Sequence, residues 1–418
     1  MHILFLTDNF PPEVNAPASR TFEHSREWVR AGHGVTVITC APNFPNGRVY
    51  DGYRNRLWQT ETMDGIRVIR VWSYVTANEG FAKRILDYLS YMVAAVLASP
   101  FVRKPDLVVA TSPQFFTACA GWLVSRMKDI PFVFELRDIW PESVKAVGAM
   151  GDSVVIRFFE RIEMGLYQRA ARIVSVTHSF KSILVRRGVE PGKIAVVTNG
   201  VDMIRFRPMD KDAELMASYG LEGKFVAGYV GTHGMAHALE TLLEAAVLLR
   251  DRPGGEAFRL ILLGHGARKQ ALVEKAGEMG LSNVIFVDSV PKEEVVRYWS
   301  LMDLAVIHLR KTELFTTVIP SKLFECLGMG IPVLHGVAGE SAAIVEREGC
   351  GVTFEPENAG ELANQILSLK GDPERLTQLR RNALEAATRY DRADLACRMF
   401  GVLEGAVRDR NFSGLEVR

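Results

Sequence analysis

The segment Pro320–Pro332, PSKLFECLGMGIP, predicts a short helix that carries one carboxylate, Glu325. Pro320 suits the first position of a helix, because that position needs no backbone N–H donor. Gly328 and Gly330 are then expected to end the helix, since glycine readily adopts the backbone conformation that caps a helix. The segment therefore predicts a helix that is bounded on both sides, with Glu325 inside it.

A buried strand is expected just before this helix, over Leu304–Ile307. Ligands of open α/β sheets bind beyond the carboxyl ends of the strands, so Glu325 is a candidate ligand-binding residue. Its carboxylate can accept hydrogen bonds from two neighbouring hydroxyls, as a ribose presents them. Lys322 lies three residues earlier, on nearly the same helix face, and would supply a cation for a phosphate. The alternative is an ordinary surface helix with a Lys–Glu pair.

The composition is that of a globular protein with two domains. The chain has 418 residues, of which 48% are hydrophobic and 24% charged. Its net charge of +1 conceals an asymmetry, because residues 1–190 carry 23 Lys and Arg against 18 Asp and Glu, and the remainder carries 27 against 31. A basic first half indicates an anionic partner or surface, although a chance imbalance would explain the small excess nearly as well.

Cysteine and histidine usage argues against a metal site. The five cysteines form no C-x-x-C pair, which favours a reducing cytosol, and the nine histidines form no H-E-x-x-H. Asp210-Lys211-Asp212 matches a D-x-D string, but it lies in a polar stretch with no strand before it, and we interpret it as solvated charge. The opening run Ile3–Leu6 is too short for a secretory signal, so we expect a cytoplasmic protein.

An uncharged run of 15 residues covers Tyr88–Val102. A membrane-spanning helix needs about 20 residues, so this run is expected not to span. It is flanked by the basic pairs Lys83-Arg84 and Arg103-Lys104. The segment is either a buried helix or a helix that lies on an anionic membrane surface with basic anchors at each end.

Two series of alternating strands and helices predict two parallel sheets, each covered by helices. The first series has strands at 3–7, 35–40, 66–71, 107–110, 132–135 and 173–176. A further strand at 194–197 and a polar linker at 209–218 precede the second series, whose strands fall at 225–230, 260–263, 284–286, 304–307, 332–335 and 352–354. The last segment, 373–410, is expected to be helical.

Two glycine turns of the second series are candidate phosphate sites. Gly231, followed by Thr232 and His233, comes directly after a strand and before a helix, where backbone N–H groups favour an anion. Gly264 follows the next strand, and Lys269 lies close behind it. Neither turn matches a Walker loop or the Rossmann fingerprint, so plain strand–helix turns are the alternative.

The first series has two polar segments that follow strands. The loop DNFPPEVNAPASR contains Glu13, Asn15 and Arg20 and could contact a sugar or an acceptor. Arg137 and Asp138 follow a buried strand and would face a ligand at the edge of the sheet. An ordinary loop and a salt-bridged surface turn are the respective alternatives.

Two longer motifs carry a resemblance to a known family. Lys193–Pro208, KIAVVTNGVDMIRFRP, and Pro320–Val333, PSKLFECLGMGIPV, are similar to segments of the GT-B glycosyltransferases, and within them of the large retaining family four. The resemblance spans nearly the whole chain. It implies an α/β fold with two Rossmann-like lobes facing across a cleft and a C-terminal helix that returns to the first lobe. The implied lobes are 1–190, completed by 391–418, which binds the acceptor, and 191–390, which binds a nucleotide sugar.

The resemblance also implies roles for individual residues. Glu325 would bind the ribose of the donor, while a second glutamate of the family pattern is replaced by Thr317. His233 and His237 stand where family members often carry an Arg and a Lys. The implied donor-binding set is Gly231, Thr232, His233, Gly264, Lys269, Arg310, Ser321, Lys322, Leu323 and Glu325. The implied catalytic set is Arg137, Asp138 and Glu13, and Asn15 and Arg20 would bind the acceptor.

Three short strings narrow the resemblance further. FPPE at 10–13, RDIWPES at 137–143 and PSKLFE at 320–325 resemble bacterial transferases of O-antigen, capsule and colanic-acid assembly, including fucosaminyltransferase-like members. The resemblance implies a retaining, metal-independent transfer of an N-acetylated hexosamine or deoxyhexosamine from a UDP-sugar to a saccharide on undecaprenyl diphosphate. The enzyme would need no cofactor, bind no nucleic acid and attach peripherally to the inner face of the cytoplasmic membrane. The alternatives are a nucleotide-sugar 2-epimerase of the same fold and an inactive sugar-nucleotide-binding partner protein.

Overall fold

The computed structural model describes residues 1–44, 47–76, 81–139 and 154–413. The strands are β1 (His2–Leu6), β2 (Gly34–Cys40), β3 (Trp58–Met63), β4 (Ile66–Val71), β5 (Leu107–Thr111), β6 (Phe132–Leu136), β7 (Arg172–Ser175), β8 (Ile194–Val196), β9 (Phe225–Val230), β10 (Phe258–Leu263), β11 (Val284–Val287), β12 (Leu304–His308), β13 (Val333–Gly336) and β14 (Gly351–Thr353).

The α-helices are α1 (Ala16–Arg30), α2 (Phe81–Ala98), α3 (Phe115–Lys128), α4 (Val154–Arg169), α5 (His178–Arg186), α6 (Ala213–Ser218), α7 (Glu240–Arg250), α8 (Lys269–Glu278), α9 (Val295–Ser300), α10 (Lys322–Met329), α11 (Glu340–Glu348), α12 (Ala359–Lys370), α13 (Pro373–Arg389) and α14 (Arg392–Ser413). Short 3-10 turns lie at Ser99–Phe101, Pro191–Lys193, Met235–His237, Gly255–Ala257 and Leu314–Thr317.

The chain divides into two compact units. The first comprises Met1–Thr198 and the segment from Arg392 onward, and the second comprises Asn199–Asp391. The boundary expected at residue 190 falls too early, because β8 pairs in parallel with β7 and so completes the first sheet. The residues that the structure describes contain no helix with the length and apolar character needed to cross a membrane.

The first unit has one eight-stranded sheet in the order β3-β4-β2-β1-β5-β6-β7-β8. All neighbours run parallel except the edge strand β3, which pairs antiparallel with β4. The central strands are almost entirely buried and mostly apolar, as expected for strands that are covered on both faces.

Helices α1 and α14 cover the first sheet together. Asn15 caps α1 by accepting a hydrogen bond from the backbone N–H of Ala18 at 2.8 Å. The buried indole N–H of Trp28 in α1 donates to the carbonyl of Ala396 in α14 at 2.9 Å. Leu395 and Met399 of α14 belong to the core of this unit. The predicted return of the C-terminal helix to the first lobe is therefore confirmed.

The second unit has a six-stranded parallel sheet in the order β11-β10-β9-β12-β13-β14. One core cluster includes Leu323, Phe324 and Leu327 on the inner face of α10. A second cluster includes Leu242 and Leu249 of α7 and covers the other sheet face. The predicted pair of Rossmann-like parallel sheets is confirmed.

Several local predictions were wrong. The stretch 209–218, expected to be a linker, contains α6, whose first turn is capped by Asp212. The C-terminal stretch 373–410 is helical as predicted, with Tyr390 and Asp391 dividing it into α13 and α14. Helix α10 begins at Lys322, so Pro320 lies before its cap residue, Ser321. Strand β3 was not predicted at all, because its alternating polar residues give no apolar run.

Candidate functional site

Three glycines interlock the turns after β9 and β10 at the carboxyl edge of the second sheet. Gly231, Gly264 and Gly266 all have positive φ, at 140°, 149° and 158°. A Cβ atom on Gly264 would lie 1.9 Å from the carbonyl oxygen of Gly231, and one on Gly266 would lie 2.5 Å from that of His233. Larger residues would therefore push the two turns apart, and backbone can approach a ligand closely here.

The ammonium group of Lys322 lies at this same edge. Its Nζ stands 3.7 Å from the ring centroid of Tyr229, in a cation–π contact. A Cβ atom on Gly231 would lie 2.8 Å from that Nζ, so a larger residue here would displace the ammonium group. Burial lowers the pKa of Lys322 to about 7, even though Glu325 acts in the opposite direction. Among the described residues, no carboxylate forms an ion pair with Lys322, which makes it a cation available to an anionic ligand.

His233 and His237 surround the same tyrosine ring. Their ring centroids lie 6.0 Å and 5.9 Å from that of Tyr229. Burial lowers the pKa of His233 to about 4 and that of His237 to about 3, with Lys322 adding to both effects. Both imidazoles are therefore neutral at pH 7. Since the His233 ring is 0% exposed, a direct contact of this side chain with a donor does not fit the structure.

Glu325 is partly exposed on α10, as the sequence predicted for a ligand-binding carboxylate. Its Oε2 accepts a hydrogen bond from the indole N–H of Trp299 at 3.2 Å. Gly328 does not end the helix but lies inside it, where a Cβ atom would approach the carbonyl oxygen of Phe206 to 2.8 Å. This close packing connects the two sequence motifs, because Phe206 belongs to the segment Lys193–Pro208. Gly330, with φ of 66°, caps the helix.

Two other members of the predicted donor set have structural roles. Lys269 donates to the carbonyls of Gly264 and Val287, both at 2.9 Å, and to Asp288 at 2.5 Å. Its three donors are thus used to hold the turn, which is a correction to its predicted phosphate contact. Leu323 is 0% exposed in the core, so a direct donor contact of its side chain is excluded.

The remaining members of the donor set keep accessible positions. Thr232 and Arg310 are exposed, and Ser321 is partly exposed. The backbone N–H of Arg310 donates to the carbonyl of Ala236 at 2.9 Å, which places the loop after β12 beside the turn after β9. Their donor-binding roles stay predictions.

The carboxyl edge of the first sheet has a different chemistry, because it buries carboxylates. Burial raises the pKa of Asp8 to about 6, and Asp8 accepts hydrogen bonds from Asn9 and Gln114. Burial and, more weakly, Asp8 raise the pKa of Asp87 on α2 to about 7. Burial also raises the pKa of Glu13 to about 7. At pH 7, Glu13 and Asp87 are therefore about half protonated, whereas Asp8 remains mostly charged.

Glu13 and Asn15 accept hydrogen bonds from the backbone around them. Oε1 of Glu13 accepts from the backbone N–H groups of Asn43 and Phe44 at 2.8 and 2.9 Å. Glu13 is 5% exposed, so we assign it to the structure of this loop, a correction to its expected catalytic role. Asn15 is the cap of α1, and its side-chain amide also donates to Oδ1 of Asn9 at 2.7 Å. These contacts explain the residue without a role in binding an acceptor saccharide.

Arg20 is a second correction, because it is a buried anchor and not an acceptor-binding residue. It is 0% exposed and donates to Glu135 at 2.7 Å. It also donates to the carbonyls of Val197 and Thr198 at 2.9 and 2.6 Å. Arg20 therefore ties α1 to β6 and to the chain that leaves β8.

Arg137 and Asp138 lie at the end of β6, where the sequence placed them. Their backbone N–H groups donate to Oγ of Ser112 at 2.7 and 3.1 Å. Burial lowers the pKa of Arg137 to about 10, with Glu135 opposing the shift, so Arg137 remains a cation at pH 7. Its Nη1 is buried and has no hydrogen-bond partner among the described residues. The rest of the RDIWPES string, from Trp140, lies outside the described residues, and the catalytic roles stay predictions.

An apolar and basic face covers the outside of α2 and the edge of the first sheet. Leu86, Val93, Leu97 and Phe101 are at least half exposed and recur along one side of the helix and its extension. The ring of Phe101 contacts that of Trp58 in β3, with centroids 5.4 Å apart. Exposed basic residues flank this face at Arg54, Arg56, Lys83, Arg84, Arg103 and Lys104. We call it the α2 face.

Sequence reasoning missed Trp299, Tyr229 and Asp87 as residues of the two sheet edges, whereas Asp8 opens the loop that it did single out. Tyr229 lies within an apolar strand and Trp299 within an amphipathic helix, so both looked like core residues. The indole of Trp299 contacts Glu325 in another helix, and the hydroxyl of Tyr229 donates to the carbonyl of Thr232 in the following turn. A hydropathy pattern reports neither contact. Among the described residues, no group of His, Cys, Asp and Glu side chains could hold a metal ion.

Two family models match the chain. The first, described as a glycosyl transferase 4-like domain, matches residues 15–200. The second, described as glycosyl transferases group 1, matches residues 224–372. The two matches fall within the first and second units respectively.

Curated relatives are similar over most of their length. A putative colanic acid biosynthesis glycosyl transferase, WcaI, of Escherichia coli is 25% identical over 79% of this chain and 82% of its own. The D-inositol 3-phosphate glycosyltransferase 2 of Catenulispora acidiphila is 27% identical over 80% of each chain.

Solved structures share the fold. Sucrose-phosphate synthase from Thermosynechococcus elongatus aligns with a TM-score of 0.76 at 17% identity and covers 99% of each chain. The Anabaena protein HepE, solved in complex with UDP, aligns with a TM-score of 0.70 at 18% identity over 97% of this chain and 100% of its own. With two glycosyltransferase family models matching its two Rossmann-like units, the chain belongs to the GT-B glycosyltransferases.

Proposed function

We propose that this protein is a retaining glycosyltransferase that moves a sugar from a UDP-sugar to a lipid-linked saccharide of a bacterial surface polysaccharide. The observation that supports this proposal most is the set of groups found together at the carboxyl edge of the second sheet. There, the tight glycine turn at Gly231, the ammonium group of Lys322 and the carboxylate of Glu325 come from two neighbouring elements. A nucleoside diphosphate offers the matching groups, which are a dianionic diphosphate and a ribose diol.

Each group has a role in this proposal. Glu325 accepts the two ribose hydroxyls and fixes the nucleotide. Lys322, with backbone N–H groups at Gly231 and Thr232, stabilises the negative charge that builds on the diphosphate as the sugar leaves. Arg310 and Ser321 are placed to add to the donor contacts. The transfer needs no metal, since a lysine and oriented amides can carry this charge.

The proposed chemistry breaks the bond between the sugar C1 and the diphosphate oxygen, whose electron pair stays with UDP. An acceptor hydroxyl oxygen bonds to C1 from the same face, and its proton passes to the departing diphosphate. Products are the glycosylated acceptor and UDP. A sugar of the N-acetylated hexosamine or deoxyhexosamine type is proposed from the motif resemblance and from the similarity to WcaI, whose name places it in colanic acid biosynthesis.

The proposed acceptor is a saccharide on undecaprenyl diphosphate, met at an anionic membrane surface by the first unit. The α2 face supports this part, because it combines exposed apolar side chains with a basic rim. Tryptophan prefers the membrane–water interface, and Trp58 is exposed on the edge strand of this face. The protein would attach peripherally and reversibly, on the cytoplasmic side.

Incubation with labelled UDP-sugars, with and without a lipid-linked acceptor, tests the proposal. We expect label to move to the acceptor with retained anomeric configuration, and no change of the sugar without acceptor. Conversion of the sugar without acceptor would instead indicate an epimerase. No turnover with any donor, despite UDP binding, would indicate an inactive sugar-nucleotide-binding protein.

A further inference from the structure

The contact between Trp299 and Glu325 indicates that this tryptophan does more than fill the core. Trp299 is 0% exposed, and its indole N–H donates to Oε2 of Glu325 at 3.2 Å. A buried indole N–H needs an acceptor, and many acceptors would serve. Here the acceptor is the one carboxylate on the helix that carries the proposed nucleotide contact.

The tryptophan is held so that it can orient this carboxylate. Its ring belongs to the same core cluster as Leu323 and Leu327, which form the inner face of α10. The ring is thus fixed against the helix that bears Glu325. A glutamate side chain has three rotatable bonds, and a hydrogen bond from a fixed donor narrows the orientations that it samples.

Helix α9, which carries Trp299, is itself anchored on its other side. Arg297 donates to Asp212 at 2.6 Å and to Glu214 at 2.7 Å. Oγ of Ser300 accepts from the backbone N–H of Asp212 at 3.1 Å. These contacts fix the short helix to the cap of α6, so the position of the indole N–H is determined by neighbours on both sides.

We propose that Trp299 is a positioning residue, which holds the Glu325 carboxylate in the orientation that accepts both ribose hydroxyls of a nucleotide. This inference rests on the proposed donor site. A carboxylate oxygen has more than one lone pair, so Oε2 can accept from Trp299 and from a hydroxyl together. Preorganisation of this kind raises affinity because the ordering cost is met before binding.

The test compares UDP with 2′-deoxy-UDP by calorimetric titration of wild type and Trp299→Phe. We expect Trp299→Phe to bind UDP about 3- to 10-fold more weakly and to bind 2′-deoxy-UDP almost as wild type does, since only the diol contact depends on orientation. The preference for UDP would therefore shrink. In turnover, KM for the donor should rise while kcat changes less than about threefold, because the contact is made in ground state and transition state alike.

Trp28→Phe is the matched control. Trp28 is also buried and also donates through its indole, to the carbonyl of Ala396 in the first unit. Trp28→Phe should also lower stability by removing a buried indole donor. It should leave the preference for UDP over 2′-deoxy-UDP unchanged. If both variants lose the preference equally, the effect is general destabilisation and the proposal is overturned.

Glu325→Ala separates this inference from the proposed function. If Glu325→Ala binds UDP as wild type does, the proposed donor site is wrong. If Glu325→Ala weakens binding while Trp299→Phe keeps the full preference for UDP, only the positioning role is wrong.

Should Trp299→Phe fail to fold, indole ¹⁵N–¹H resonances of the wild type give a second readout. One of the six tryptophan signals should move in Glu325→Gln, and the same signal should move when UDP is added but less with 2′-deoxy-UDP. An indole spectrum that is identical in Glu325→Gln and wild type would contradict the proposal.

Discussion

The two units share one architecture but bury opposite chemistry at the carboxyl edges of their sheets. In the first unit, burial raises the pKa values of Asp8, Glu13 and Asp87 to between about 6 and 7. In the second, burial lowers the pKa of Lys322 to about 7. It also lowers the pKa values of His233 and His237 to about 4 and about 3. At the first edge, Arg20 is engaged with Glu135 and two carbonyls, whereas the second edge presents the ammonium group of Lys322 beside a glycine turn. The fold is thus a common scaffold, and the edge residues favour the second unit as the proposed diphosphate site.

The outer surfaces differ as well. Among the described residues, the exposed large aromatic side chains belong to the first unit: Phe44, Trp58, Trp72, Tyr74, Phe101 and Phe158. Within the described part of the chain, the large hydrophobic side chains that the second unit exposes are aliphatic residues and methionines. This contrast supports a division in which the first unit contacts the membrane and the second contacts the nucleotide.

The largest expected effect concerns the α2 face. Changing Lys83, Arg84, Arg103 and Lys104 to Gln should weaken binding to anionic vesicles by up to about 4 kcal/mol at low salt, since each basic residue contributes about 1 kcal/mol. Vesicle sedimentation measures this, and UDP binding serves as the control that should not change. Equal vesicle binding by the quadruple variant and wild type would contradict membrane attachment through the α2 face.

Glu325→Ala tests the second unit and should cost about 2–4 kcal/mol of donor binding, the range for hydrogen bonds to a charged acceptor. The fold should survive because Glu325 is partly exposed, and circular dichroism checks this. Glu278→Ala, at the exposed end of α8, is a surface control. UDP titration gives the result, and an unchanged affinity would sink the assignment of Glu325 to the ribose.

The affinity for UDP should depend on pH in a definite direction. The free ammonium group of Lys322 has a pKa of about 7, and a bound diphosphate would raise it, so binding takes up a proton. UDP affinity is then highest below pH 7 and falls as pH rises above it, by up to about tenfold per pH unit.

Titration at pH 6.5, 7.5 and 8.5 measures this dependence. Lys322→Arg provides the comparison, because a guanidinium stays charged over this range and should flatten the profile. A wild-type affinity that is constant from pH 6.5 to 8.5 would argue against Lys322 as the diphosphate ligand.

Glu13→Gln tests the carboxylate edge of the first unit. Burial raises the folded-state pKa from 4.5 to about 7, so the folded chain retains a proton that the unfolded chain has lost. Stability is therefore lost as pH rises from about 4.5 through 7. The glutamine, which is neutral and can still accept from Asn43 and Phe44, should be about 1–3 kcal/mol more stable than wild type at pH 8 and equal near pH 4.5.

Chemical denaturation at the two pH values measures this difference. Turnover should stay within about threefold of wild type, because Glu13 holds the loop. A loss of activity of a hundredfold or more in a folded Glu13→Gln would restore the catalytic role that the sequence suggested.

The smallest expected effect is that of metal removal, because Lys322 and backbone amides carry the diphosphate charge in this account. Transfer activity should persist in excess EDTA. Complete loss that is restored by Mn²⁺ would contradict this part of the proposal.

Much of the fold could be predicted from the sequence, because parallel strands covered on both faces leave runs of apolar residues such as Val35–Cys40 and Leu304–Ile307. The edge strand β3 could not, since only one of its faces is covered and its residues alternate. The helix at 213–218 was also missed, because it is short and packs only Leu215 and Met216 against the core, while Asp212 caps it and bonds to α9.

The candidate site could be proposed from the sequence where a local motif reports it. Glu325 and Lys322 lie within one helix and Gly231 follows a strand, so spacing alone located them. Lys269 and Arg20 were misjudged, because charge does not reveal whether a side chain turns toward solvent or back onto carbonyls. Arg20 binds carbonyls of Val197 and Thr198, which lie far away in sequence.

A crystal structure of the chain with UDP tests the central claim most directly. The account predicts the diphosphate within hydrogen-bond distance of Nζ of Lys322 and of the amides at Gly231–Thr232, with both ribose hydroxyls on the carboxylate of Glu325. A UDP molecule bound at the carboxylate edge of the first unit, or one whose ribose leaves Glu325 untouched, would contradict it.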